Sequence, residues 1–135
     1  MKAVMKNVTI DDANADLVAF AQTIDFTELF DYIKIFANVD CRFCQPEITT
    51  DRGDVYISFL SDDITKQTGV FAAIFERCYI YSFIDGVFKD KDTGEPGYWV
   101  SVNIRFEHKA GGACGIGMIS AGYRNGQWTF FEKIG

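Results

Sequence analysis

The sequence has little of what most catalytic sites are built from. It contains one histidine and two prolines in 135 residues, and its glycines form neither a G-x-G-x-x-G dinucleotide pattern nor a phosphate-binding P-loop. The histidine, His108, stands beside Glu107 and Lys109, and a histidine flanked by charges at a strand end is most often solvated rather than a general base. We therefore expect no cofactor. The sequence leaves an enzymatic role open and does not favour one.

Long apolar runs are also missing. No segment reaches the roughly 18 consecutive apolar residues of a membrane span, and the first residues, MKAVMKNVTI, lack the apolar run of a secretory signal. We therefore expect a cytoplasmic protein that does not bind membranes. Thiols stay reduced in that compartment, so the four cysteines are expected to be free thiols or metal ligands rather than disulfides.

Two of the cysteines, Cys41 and Cys44, stand three positions apart in the stretch DCRFCQP. This spacing can supply two of the four ligands of a zinc ion, but Cys78, His108 and Cys114 do not form a second closely spaced pair. A thioredoxin-like role is disfavoured because the pair enters a proline-containing loop instead of opening a helix. We predict no metal site. We expect Cys78 and Cys114 to pack as small apolar groups and Cys41 and Cys44 to be partly buried under the loop, with a zinc-stabilised protein as the less favoured alternative.

Apolar side chains are abundant, at 48% of the sequence, and 16% of the residues are aromatic. This composition and length suit one hydrophobic core, so we expect a single domain over residues 1–135. Apolar residues recur at three- and four-residue steps over residues 9–37. The pattern predicts two amphipathic helices, the first begun by a capping box of Thr9 and Asp12, the second begun by Asp25, with a joint near Thr23.

The remaining sequence is dominated by strand patterns. Residues 38–54 predict a loop, residues 55–60 a strand, residues 62–68 a short helix and residues 70–78 a strand, although the last segment also fits a helical stripe. After Tyr79, four runs rich in aromatic and β-branched residues are separated by turn chemistry, with Asn125-Gly126 as the strongest hairpin signal. Alternation in the second run predicts Val100, Val102, Ile104 and Phe106 on one buried face.

These elements predict an α+β domain in which two N-terminal amphipathic helices pack on an antiparallel meander of about five strands. The order of helix, helix, strand, short helix and strand meander is similar to the cone-shaped α+β fold of the ketosteroid-isomerase-like and cystatin-like groups. The resemblance concerns element order, so it implies a cone-like sheet and carries no site and no activity.

The net charge of −6 is unevenly distributed. Residues 1–63 hold twelve acids and five bases, whereas residues 64–135 hold seven acids and eight bases. The helix dipole and solubility explain part of the excess, since several acids fall in first helical turns. A surface that meets a basic partner would explain the rest, and the same charge disfavours direct binding of nucleic acid.

We therefore hypothesise a small acidic protein-binding module, for example an inhibitor or adaptor that occupies the basic surface of a nucleic-acid-acting protein. The helix acids would steer the partner, and the polar hairpin KDKDTGEPGYW would anchor it through exposed aromatic rings. The expected partner-binding residues are Asp12, Asp16, Asp25, Glu28, Asp31, Asp90, Asp92, Glu95, Tyr98 and Trp99.

An aromatic strand face supports an alternative. Tyr79, Tyr81, Phe83 and Asp85 alternate on one side of a predicted strand. In a cone-like sheet such a face can line an apolar pocket that holds one perturbed carboxylate. This alternative predicts a small-ligand carrier or small enzyme, although the same rings also suit ordinary core packing.

Overall fold

The computed structural model describes residues 1–37, 41, 44–64, 75–83 and 85–134, and it gives the backbone alone at residues 37, 60–64, 75–83, 106, 113–117 and 132–134. Within these residues the chain forms two helices and nine strands, which makes it an α+β protein with a mostly antiparallel sheet, as the sequence predicts. The elements are β1 (Val4–Met5), α1 (Ala15–Ala21), α2 (Thr27–Ala37), β2 (Glu47–Asp51), β3 (Asp54–Ser58), β4 (Leu60–Ile64), β5 (Phe75–Phe83), β6 (Gly86–Lys89), β7 (Pro96–His108), β8 (Ala113–Arg124) and β9 (Gln127–Ile134).

The two helices and the joint near Thr23 are confirmed, but α1 begins later than predicted. The capping box of Thr9 and Asp12 is wrong, because the chain before α1 folds around the buried side chain of Asn14. Its Oδ1 accepts a hydrogen bond from the Asp11 amide at 2.9 Å, and its Nδ2 donates to the Thr9 carbonyl at 3.1 Å. The predicted start of the second helix is confirmed, since the Asp25 carboxylate accepts from the Thr27 amide at 3.0 Å.

The long strand β7 organises the sheet. Along one edge, its first residues pair with β6 and its later residues pair with β5, while its other edge pairs with β8, which in turn pairs with β9. All these pairings are antiparallel, and the parallel pair among the described strands is β1 with β2. The sheet is larger than the expected five strands because the run after Tyr79 divides into β5 and β6 and because β1, β2 and β4 add further strands.

Two segments differ from their predictions. The short helix expected over residues 62–68 is wrong for residues 62–64, because they belong to β4 and pair with β5, while residues 65–68 lie outside the described residues. The predicted strand over residues 70–78 is confirmed for residues 75–78, and its first part also lies outside the description. The loop expected over residues 38–54 contains β2, which joins β3 through a turn at Arg52 and Gly53, with φ of 53° and 84°.

The core lies between the helices and one face of the sheet. Phe26, at the helix joint, is fully buried, and its ring centroid lies 5.6 Å from that of Trp128 and 6.0 Å from that of Tyr98. The predicted alternation along β7 is confirmed for Val100, Val102 and Ile104, which are all fully buried. The side chain of Phe106 lies outside the description. The helices therefore cover one face of the sheet and leave its opposite face uncovered by either helix.

Candidate functional site

The joint between α1 and α2 is fixed by contacts from two other parts of the chain, the N-terminus and β9. The N-terminal ammonium group of Met1 donates to Asp25 Oδ1 at 2.5 Å and to Thr27 Oγ1 at 2.6 Å. The Phe26 amide donates to the Met1 carbonyl at 2.7 Å, and the Trp128 indole N–H donates to the Asp25 carbonyl at 2.8 Å. The bonds from Met1 hold the start of α2 against the N-terminus, and the bond from Trp128 holds it against β9.

An open groove lies beside this joint. Its volume is about 300 Å³, and its lining residues are Asp25, Thr27, Glu28, Asp31, Tyr123, Gly126 and Trp128. We call this recess the acidic groove. The rings of Tyr123 and Trp128 form its wall, with centroids 5.1 Å apart, and the carboxylates come from the start and first turns of α2.

The three carboxylates of the acidic groove differ in their charge balance. The N-terminal ammonium group, followed by the amide and hydroxyl of Thr27, holds the pKa of Asp25 well below its usual range. Asp25 is therefore ionised and balanced by a cation. Glu28 and Asp31 are exposed, lie one helical turn apart, and pair with no cation among the described residues. The unbalanced negative charge of the groove comes from these two residues.

Two other predicted partner-binding acids are neutralised by bases from distant parts of the chain. Asp16 on α1 pairs with Lys89 Nζ at 2.5 Å, and this cation lowers the pKa of the carboxyl. Asp90 pairs with Arg124 at 3.2 Å, and its pKa is lowered first by hydrogen bonds from the amides of residues 93 and 92. These two acids fix the loop between β6 and β7 instead of presenting free charge.

The remaining predicted acids lie outside the acidic groove. Asp12 and Asp92 are exposed, and neither belongs to an ion pair within the described part of the chain. Glu95 is half-buried and accepts a hydrogen bond from Asn125 Nδ2 at 3.5 Å. The loop that carries Asp92 and Glu95 therefore rests against the β8–β9 hairpin.

The expectation that Tyr98 is an exposed anchor is wrong. Tyr98 is fully buried, its hydroxyl donates to the Ile57 carbonyl at 3.0 Å, and burial, followed by the charge of Asp85, raises the pKa of the phenol. The alternation of β7 explains the error, because Tyr98 shares the inward face of Val100. Trp99 points the other way and is 38% exposed, on the sheet face opposite the helices. The structure thus does not bring Trp99 together with the acids of α2.

The residues of the alternative pocket are only partly described. Tyr79, Tyr81 and Phe83 belong to β5, and their side chains lie outside the description, so the pocket that they would line stays a prediction. Asp85 is half-buried in the connection between β5 and β6.

The cysteine pair lies in the core. Cys41 and Cys44 are 2% and 1% exposed, and the Cys44 amide donates to the Cys41 carbonyl at 2.9 Å. This pair is more deeply buried than the partial burial expected from the sequence. The side chains of Cys78 and Cys114 lie outside the description, so their expected packing as small apolar groups stays a prediction. Among the side chains that the structure describes, no three histidine, cysteine or acidic groups come together as a candidate metal site.

None of the described helices is long and apolar enough to cross a lipid bilayer.

The aromatic wall of the acidic groove was not predicted from the sequence. A usable signal was present, because Tyr123 and Trp128 stand symmetrically about the predicted Asn125-Gly126 turn. Residues placed in this way face each other across a two-residue hairpin, and the structure pairs them in register. The turn itself is confirmed, with φ of 54° at Asn125 and 75° at Gly126.

The chain matches no family model, no curated protein and no solved structure among those compared with it. We therefore infer function from the geometry and charge of the described surfaces.

Proposed function

We propose that this protein is a small protein-binding module that receives a basic side chain of its partner in the acidic groove. The observation that carries the proposal is the pair Glu28 and Asp31, two exposed carboxylates without a cation among the described residues, beside the wall of Tyr123 and Trp128. The partner class is a protein with a basic surface, for example a nucleic-acid-acting protein that the module inhibits or recruits.

The lining of the acidic groove suits arginine better than lysine. A guanidinium group is planar, binds carboxylates through two parallel hydrogen bonds and stacks on aromatic faces, whereas an ammonium group is a compact and strongly hydrated charge. Carboxylates and aromatic rings in one recess supply both kinds of contact. The volume of about 300 Å³ is at the small end of ligand pockets, which favours one side chain over a larger ligand.

The charge of the whole chain supports the same partner class. A net charge of −6 attracts a basic protein at long range and repels phosphate groups, so we expect no direct binding of nucleic acid. Solubility alone also favours acidic residues. Solubility does not require Glu28 and Asp31 to lie in a recess without a cation, because like charges one helical turn apart repel each other.

The test is the affinity of the protein for an arginine-rich peptide, measured by titration calorimetry at low and at physiological salt. We expect the double variant Glu28→Gln/Asp31→Asn to weaken binding by roughly tenfold, which corresponds to the loss of charged hydrogen bonds. The control Asp12→Asn/Asp92→Asn removes the same charge outside the groove and should weaken binding much less.

Two results would contradict the proposal. Equal losses in the two double variants would show that only the overall charge matters. An affinity that stays constant as salt rises would remove the steering role, because screening weakens the attraction between exposed charges. A lysine-rich peptide of equal length should bind more weakly than the arginine-rich one.

The inhibitor role makes a separate prediction about the natural partner. A protein captured from host extract by the wild-type chain, and not by Glu28→Gln/Asp31→Asn, should lose affinity for nucleic acid when the module is bound. A captured partner that binds nucleic acid equally well in both states would favour an adaptor instead. Either role fits the cytoplasmic location that the sequence predicts.

The cone-like shape of the sheet and the ligand pocket associated with it stay predictions. If the alternative were correct, replacing Tyr81 or Asp85 would abolish binding of an apolar ligand and leave the fold intact.

A further inference from the structure

The sheet face opposite the helices carries aromatic rings that cover glycines on neighbouring strands. A Cβ atom added at Gly97 would lie 3.0 Å from Phe88 Cζ, and one added at Gly122 would lie 3.0 Å from Trp99 Cε3. Each ring therefore occupies the space that a side chain on the next strand would fill. Glycine at these two positions lets the rings lie against the backbone, and both Phe88 and Trp99 remain partly exposed.

Phe131 on β9 extends this arrangement. Its ring centroid lies 6.0 Å from that of Trp99, with 36° between the ring planes. Phe88, Trp99 and Phe131 are 37%, 38% and 56% exposed, and we call these three residues the aromatic stripe. They belong to β6, β7 and β9, and β8 lies between the last two, so the strands that carry the stripe span about 14 Å at the usual strand spacing. The rings of Trp99 and Phe131 lean toward each other over β8.

Polar but uncharged groups border the aromatic stripe. The recess over the stripe has a volume of about 370 Å³, and Asn125, Gln127 and Thr129 lie on its rim. The side chains of Gln127 and Thr129 are exposed and make no hydrogen bond to another described residue. They offer a donor amide, an acceptor carbonyl and a hydroxyl at the edge of an aromatic surface.

The recess over the aromatic stripe has no unbalanced charge among its described lining residues. Its cation, Arg124, pairs with Asp90 at 3.2 Å, and the guanidinium carbon lies 5.8 Å from the centre of the Phe88 ring. The acidic groove, on the other side of the β8–β9 hairpin, has excess negative charge. The two surfaces of this hairpin are therefore suited to ligands of different chemistry.

We propose that the aromatic stripe binds a neutral oligosaccharide. The apolar C–H faces of sugar rings stack on exposed aromatic surfaces, while their hydroxyl groups exchange hydrogen bonds with amides and hydroxyls at the rim. The three rings come from strands that span about 14 Å of the sheet, more than the width of one sugar ring, so the site takes a short chain of sugars.

Charge and composition disfavour two other occupants. A single-stranded nucleic acid stacks on aromatic rings but also needs a positively charged path for its phosphates, and the described lining provides none. The core of a protein interface is rich in large side chains and poor in serine. Alongside the stripe, the outward positions of β7 and β8 are Gly97, Gly122, Ser101 and Ser120.

The experiment is calorimetric titration of the full chain with cellohexaose and with chitohexaose, both neutral, up to millimolar concentration. We expect binding of at least one of them, and we expect Trp99→Ala to weaken it by roughly tenfold, the loss of one stacked ring. Ile35→Ala is the matched control, because Ile35 is an 85% exposed apolar side chain on α2 and lies outside the recess. Circular dichroism checks that each variant is folded, and Phe131→Ala provides a second variant of the stripe.

Binding of neither hexasaccharide would overturn the proposal, as would binding that Trp99→Ala and Phe131→Ala leave unchanged. Tighter binding of oligothymidylate or of a proline-rich peptide through Trp99 would also overturn it in favour of that ligand. The double variant Glu28→Gln/Asp31→Asn should retain full saccharide affinity. This result separates the stripe from the acidic groove, so each proposal can fail without the other.

Discussion

The hydroxyl of Tyr98 provides a sharp test of how β7 is bonded to β3, which lies on the other side of β6 in the sheet. It donates to the Ile57 carbonyl at 3.0 Å, and both residues are fully buried. Tyr98→Phe removes this one oxygen and leaves the ring packing unchanged, so no large cavity forms. We expect a loss of about 1 to 2 kcal/mol in the free energy of unfolding, from the missing hydrogen bond and the carbonyl that it leaves buried.

Urea unfolding at neutral pH, followed by tryptophan fluorescence, measures this loss as a lower midpoint with an unchanged slope. The matched control is Tyr56→Phe, because the hydroxyl of Tyr56 is part-exposed and lies 3.4 Å from Asp54 Oδ2. We expect this control to stay within about 0.5 kcal/mol of the wild type. Equal stability of the two variants would refute the role assigned to the Tyr98 hydroxyl.

The same substitution predicts a change at alkaline pH. Burial raises the pKa of Tyr98 above the usual tyrosine value of about 10, so above that pH the unfolded chain loses this proton more readily than the folded one. The free energy of unfolding of the wild type should therefore fall as pH rises above 10. Tyr98→Phe should fall less steeply, and parallel pH profiles would contradict the assignment.

Three further predictions concern the helix joint, the hairpin turn and the aromatic stripe. The pKa of Asp25 is lowered from 3.8, so the contribution of this carboxylate to stability is lost as pH falls below that value. In acid unfolding, Asp25→Asn should therefore lose less free energy of unfolding than the wild type. Identical acid unfolding curves would contradict this prediction. Gly126→Ala places a side chain at a φ of 75° and should cost about 1 kcal/mol in thermal unfolding, whereas an unchanged melting temperature would refute the turn assignment. Gly122→Ala should shift the fluorescence emission of Trp99 by displacing its ring, while Gly94→Ala, where nothing lies within 4 Å of the added Cβ, should not; equal emission in both would show that the ring does not lie over Gly122.

The helices and the last hairpin were predictable because their signals are local. Apolar spacing placed α1 and α2, and the Asn125-Gly126 pair placed the turn between β8 and β9. The short helix predicted over residues 62–68 was wrong because Ser61, Asp62 and Asp63 are residue types that suit a helix start. In the structure the backbone of β4 pairs instead with β5, further along the chain. Pairing with a distant strand overrides local propensity, and no periodicity in the segment itself reports it.

The negative charge of the candidate site could be predicted from the sequence, but the arrangement of its side chains could not. The excess of acids is visible in the sequence, whereas the cations that neutralise Asp16 and Asp90 come from β6 and β8. The inward position of Tyr98 could have been found by extending the alternation of Val100 back by two residues. The distinction between acids with and without a cation depends on tertiary contacts, and that distinction defines the acidic groove.

The position of Asp31 argues that the acidic groove has a cost for the fold. Asp31 lies beyond the first turn of α2, where the helix dipole no longer favours a negative charge, and it repels Glu28 one turn away. Asp31→Asn should therefore raise the free energy of unfolding by a few tenths of a kcal/mol and should weaken binding of the arginine-rich peptide. A residue that opposes stability while it supports binding is expected at a functional surface. A lower melting temperature in Asp31→Asn would instead show that the carboxylate stabilises the folded chain.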